Sequence, residues 1–115
     1  MKIKTSELEG ELLDWAVALI EYPEWKEQGF LEVFPHDLSF DDGTVYAPST
    51  DWAHVGPIIE REKIAIDWDN DCWNASTDNH PAYYSAETPL IAAMRCYVAS
   101  KLGDEVELTE EGELK

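Results

Sequence analysis

The sequence predicts a small α+β domain, with two main helices packed on a short, mostly antiparallel sheet. Three observations carry this: an amphipathic helical stretch near the N-terminus, a second apolar one near the C-terminus, and short β-prone runs around them. The expected order is β-α-β-β-turn-β-β-α-β. A chain of 115 residues suits one domain, assigned to residues 1–109, with 110–115 as a frayed acidic tail.

The elements follow in turn. Ile3, flanked by Lys2 and Lys4, opens a short strand. Ser6 and Glu9 have the spacing of a capping box. Leu8, Leu12, Trp15, Ala16 and Leu19 then fall on one helical face, so a helix is expected over Glu7–Glu21. Gly10 weakens its first turn, so a start as late as Glu11 is the alternative, and Tyr22-Pro23 ends it. Leu31-Glu32-Val33-Phe34 alternates as a strand would, and a hairpin across Asp42-Gly43 leads into Thr44-Val45-Tyr46. Ser49, Thr50 and Asp51 can each cap a helix. One turn is expected there, stopping at Gly56-Pro57. Ile58-Ile59 and Ile64-Ala65-Ile66 are β-rich. From Asp69 to Glu87 the chain is polar and turn-like, and mobility is expected there. Thr88-Pro89 starts the clearest helix, 90–102, with Lys101 near its negative end and Gly103 as its cap. Val106 and Leu108 alternate as a last strand would.

Composition narrows function. Eight Lys and Arg stand against 25 Asp and Glu, a formal charge of −17. That acidity argues against casual binding to nucleic acid or an anionic membrane. Apolar residues make up 44%, with five Trp and five Tyr, enough to build a core. No apolar run is long enough to span a bilayer. Met1-Lys2-Ile3-Lys4-Thr5-Ser6-Glu7 has no apolar segment after its lysines, so no signal peptide is expected and the location expected is cytoplasmic. Cys72 and Cys96 are expected as free thiols. No metal site and no cofactor are expected. His36, His54 and His80 lie far apart, and Asp67-Trp68-Asp69-Asn70-Asp71 lacks both the Gly and the Glu of a calcium loop.

Candidate ligand residues cluster in one block. Thr50, Asp51, Trp52, Gly56, Pro57 and Arg61 surround the Gly-Pro turn. Trp52 offers a stacking face, Gly56 lets backbone approach a ligand, and Arg61 suits a phosphate or carboxylate. The bland reading puts Trp52 in the core, Asp51 or Ser49 at a cap, and Arg61 beside Glu60 or Glu62. Arg95 interrupts an apolar helix. It either reaches a solvent edge or is held by a buried carboxylate or a ligand anion. Asp14, one step off an apolar face, is expected in solvent. Trp25, Trp68 and Trp73 flank acidic loops and suit either a core or a protein interface.

Two long blocks resemble a known family. One runs Ser49-Thr50-Asp51-Trp52-Ala53-His54-Val55-Gly56-Pro57-Ile58-Ile59-Glu60-Arg61-Glu62. The other runs from Thr88-Pro89-Leu90-Ile91 through Arg95-Cys96-Tyr97 to Asp104-Glu105-Val106. With Lys4-Thr5-Ser6-Glu7-Leu8 and Leu13-Asp14-Trp15-Ala16-Val17-Ala18, they resemble the NinX-like small proteins of lambdoid phages and prophages. Family members tend to carry Gln-Gly where this chain has His54-Val55. The resemblance implies a phage-encoded accessory protein made inside the bacterial host, and it supplies no activity.

Function is therefore read from the residues. No nucleophile motif, phosphate loop or dinucleotide loop is present, so no enzyme is expected. The expected role is stoichiometric binding in the host, to a host protein or a nucleotide-like small molecule. In one form, Trp52, Arg61 and Arg95 capture a nucleotide-like ligand and so antagonise host defence. In the other, spread carboxylates mimic DNA and occupy the basic groove of a host nuclease or DNA-binding protein. The wide apolar face of the last helix makes a homodimer a reasonable expectation.

Overall fold

The first strand finds its partner at the far end of the chain. In a computed structural model, which describes residues 2–22, 45–69, 71–78 and 80–107, β1 (Lys2–Lys4) pairs antiparallel with β5 (Glu105–Glu107), and Ile3 lies opposite Val106. Thr5 extends this closure. Its N–H donates to Asp104 O at 2.8 Å and its hydroxyl to Gly103 O at 2.7 Å. The expected strands at both ends are thus present and joined.

After a 3-10 turn at Thr5–Glu7, α1 spans Gly10–Glu21. It starts later than Glu7, and the Ser6/Glu9 capping box does not form. Ser6 lies in the 3-10 turn, and Glu9, at the N-cap, makes no side-chain cap bond. Gly10, at φ +56°, supplies a left-handed backbone that a side chain would strain. The helix ends as expected, with Tyr22 N–H bonded to Ala18 O. The expected strand at 31–34, the turn at Asp42-Gly43, Trp25 and the tail 110–115 lie outside the described residues.

The expected stop at Gly56-Pro57 is overturned. A continuous helix, α2, spans Trp52–Glu62 with Pro57 inside it. Asp51 caps it, accepting from Ala53 N–H at 2.9 Å. A proline inside a helix removes one hydrogen bond and clashes with the residue before it. Here that residue is Gly56, which has no Cβ to clash, and Pro57 is exposed on the outer side. Ile58 and Ile59 therefore belong to a helix and not to a strand, and Ile58 is buried. Lys63 ends α2 at φ +55°.

The turn-like reading of the polar stretch 69–87 is also corrected. The stretch supplies β3 (Cys72–Thr77) and β4 (His80–Ala86), which join β2 (Ala65–Asp69) in an antiparallel sheet of order β2-β3-β4. Register pairs Ile66 with Ala75 and Ala75 with Tyr84. This face meets α3 (Pro89–Leu102), which packs on β3, β4 and α1. The other face carries Asp67, Asn74 and Ser85. A sheet wet on one side contributes polar residues at every second position, and these read as loop in sequence.

α3 forms as expected. Thr88 Oγ1 accepts from Ile91 N–H at 3.2 Å, Pro89 occupies the first turn, and Gly103 follows at φ +93°. Its Ala92, Ala93, Met94, Cys96 and Val98 are fully buried, against Leu13 and Val17 of α1 and Val55 of α2 in one core. The architecture is α+β as expected, and among the described residues it holds three α-helices and two small antiparallel sheets. Among the described residues, no helix is long and apolar enough to cross a membrane.

Candidate functional site

Helical spacing aligns two charged rows. Asp14 and Glu21 are seven residues apart on α1, and His54 and Arg61 are seven apart on α2, so each pair shares a face. The two rows meet in a polar seam that α3 closes with Tyr97.

At one end, Arg61 Nη2 donates to Glu21 Oε2 at 2.6 Å and Nη1 to Oε1 at 3.3 Å, a bidentate pair. Arg61 Nε donates to Glu62 at 2.9 Å, and Nη2 also donates to Tyr97 Oη at 3.0 Å. Tyr97 Oη in turn donates to Glu21. Lys101 Nζ lies 3.3 Å from Glu62. Hydrogen bonds to Glu21 and Glu62 hold the Arg61 guanidinium further into its charged form, and Arg61 and Lys101 hold the Glu62 carboxyl below its usual range. Burial, then the bond to Glu21, pushes the Tyr97 phenol up.

At the other end, Asp14 Oδ1 accepts from Ser49 N–H at 2.7 Å. Burial raises the Asp14 carboxyl above its usual range even so, because loss of water outweighs that bond. Asp14 is therefore not a free surface carboxylate as expected. His54 Nδ1 accepts from Ala47 N–H at 3.0 Å, and its ring lies 4.9 Å from Tyr46. Ser49 leans on Asp14, while His54 Nδ1 is filled by backbone. Sequence reasoning overlooked Glu21, Tyr97 and Tyr46. The signal was the seven-residue spacing of His54 and Arg61, invisible while α2 was taken as a single turn.

The predicted ligand residues are not brought together. Thr50 is exposed in the turn before α2, and Asp51 is its cap. Trp52 is outside the core, 54% exposed. Gly56 and Pro57 lie mid-helix, and no loop backbone is offered to a ligand there. Arg61 sits nine residues beyond Trp52, about 13 Å along the axis. Arg95 is held elsewhere. Its Nε donates to Leu8 O and its Nη1 to Ser85 O, both at 2.7 Å, with Glu9 at 3.9 Å. Two backbone carbonyls hold it, and neither a solvent edge nor a buried carboxylate does. Leu8 precedes α1 and Glu21 ends it, so the two arginines are anchored at opposite ends of a helix about 18 Å long.

One exposed face is acidic and aromatic. On the face of the β2-β3-β4 sheet away from α3, a shallow depression of about 410 Å³ lies between Asp67 and Asp69 on β2 and Tyr83 on β4, floored by Asn74 and Ser76. Tyr83 is 67% exposed. No Lys or Arg lines the depression. Cys72 is half-buried and Cys96 buried, both free thiols, and burial pushes the Cys96 thiol up to about 11. Among the described residues, no three His, Cys, Asp or Glu side chains stand close enough to hold a metal ion.

The family comparison covers most of this architecture. The sequence model of a phage family described as Bacteriophage P22, NinX matches residues 4–101, from β1 through the last turn of α3. No curated protein matches the chain.

Proposed function

The chain belongs to the NinX family of bacteriophage P22, and from that premise we propose that it acts in the host cytoplasm as a non-catalytic binding protein. Its acidic sheet face docks a basic surface of a host protein. One observation carries this reading. The carboxylates of Asp67 and Asp69 share the open sheet face with exposed Tyr83, and no Lys or Arg lines the depression between them. Neighbouring carboxylates on one side of a strand stand about 7 Å apart, a spacing that suits a row of Lys or Arg. The nucleotide-ligand reading needs Trp52, Arg61 and Arg95 in one pocket. Both arginines are instead engaged within the fold.

Retention of host proteins on the immobilised chain tests the reading. The Asp67→Asn/Asp69→Asn double variant keeps strand geometry and removes two charges. It is expected to lose proteins that the parent retains, and high salt is expected to elute the same proteins from the parent. Equal retention by parent and variant overturns the proposal.

A further inference from the structure

A broad cleft in the described fold lies between two strand edges that do not pair with each other. It measures about 830 Å³ and is lined by Lys4 and Ser6 on one wall, Tyr83, Tyr84 and Ser85 on the other, and Asp104 and Glu105. Each wall is the edge of a different sheet, since β1 pairs with β5 and β4 with β3.

Backbone direction is fixed at both walls. Ser85 turns its carbonyl away from β3, toward Arg95. In an antiparallel strand, alternate residues turn N–H and C=O to the same side, so Tyr83 also faces the cleft. Thr5 turns its N–H toward Asp104, so Lys4, its neighbour, faces the other way, into the cleft. Arg95 links the two segments that supply the walls. One guanidinium donates at 2.7 Å to Leu8 O on the N-terminal side and to Ser85 O on β4. It does there what the N–H groups of an inserted strand would do further along.

We propose that this cleft takes an extended, uncharged peptide segment of a partner protein as an added strand, joining the two sheets into one. Charge supports that occupant. Lys4 lies directly opposite Glu105 in the β1-β5 register, and β4 contributes Tyr83, Tyr84 and Ser85, none of them ionised. The whole lining sets one lysine against two carboxylates, Asp104 and Glu105, so it is close to neutral for a chain of net charge −17 and, unlike the acidic depression, it carries a cation. The Tyr84 hydroxyl donates to Asp104 Oδ1 at 2.7 Å and ties the walls together beneath the strand. Main-chain hydrogen bonds would supply the affinity, and Tyr83 would cover one side of the guest.

The probe is an end-blocked peptide of about eight alternating Ser and Val residues, a typical strand length. Adding it to the isotope-labelled chain is expected to shift the amide signals of Lys4, Tyr83 and Ser85. The same peptide N-methylated at alternate residues is expected to bind at least tenfold more weakly, a change that leaves the protein's own folding untouched. The Asp67→Asn/Asp69→Asn variant is expected to bind the peptide as the parent does, so this test and that of the acidic face fail separately. No shift at these three amides, or equal binding of the N-methylated peptide, overturns the proposal.

Discussion

At Asp14, burial and hydrogen bonding pull a carboxylate in opposite directions. Burial raises its pKa above the ordinary aspartate value, and the Ser49 N–H lowers it by less. A group whose pKa is raised by folding stabilises the fold below its unfolded value and loses that contribution as pH rises through the folded value. The parent's stability should therefore fall, relative to Asp14→Asn, as pH climbs from about 3.8 through the raised value. Asn can still accept from Ser49 and has no charge to bury. Asp14→Ala should be worse than either, by about 1–3 kcal/mol, because the N–H of nearly buried Ser49 loses its acceptor. Denaturant unfolding of the three proteins across pH checks both statements. A parent curve parallel to that of Asp14→Asn would refute the sign. Sequence could not show this, since Asp14 stands one step off an apolar stripe and its partner is 35 residues away.

At the scale of the element, legibility followed locality. α3 was readable because its cap, its N-terminal proline, its apolar run and its closing glycine all lie within its own residues. α2 was misread because a Gly-Pro pair usually stops a helix. In this helix the same glycine makes the proline tolerable. A double-mutant cycle should expose that dependence. Gly56→Ala alone should destabilise, even though an added Cβ meets open space beyond its chain neighbours, because it faces the Pro57 ring. Pro57→Ala should stabilise by about 1 kcal/mol or more by restoring a helix bond. Added to Pro57→Ala, Gly56→Ala should gain a further 0.5–1 kcal/mol or so, its usual helix advantage. Thermal unfolding of the four proteins reads the cycle, and the same sign for Gly56→Ala in both backgrounds would contradict it. β3 and β4 were misread for another reason. Their pairing is with each other and with α3, and the wet face of the sheet reads as polar loop.

For the whole molecule, the charge of −17 acquires structure once the few cations are placed. Arg61 locks α1 to α2 and α3 through Glu21 and Tyr97, and Arg95 locks the N-terminal segment to β4. The α+β class and a strand near each end of the chain were legible from sequence. The pairing of those strands and the convergence of distant side chains were not, and the proposed docking face is argued from that convergence. The most direct test is an amide-shift titration of the chain with an arginine-rich peptide at low and high salt, with Debye lengths of about 30 and 3 Å. We expect the shifts to gather on β2 and β4 around Asp67, Asp69 and Tyr83, and to vanish at high salt. Shifts scattered over every acidic surface, or gathered around Arg61 and Trp52, would contradict the docking face.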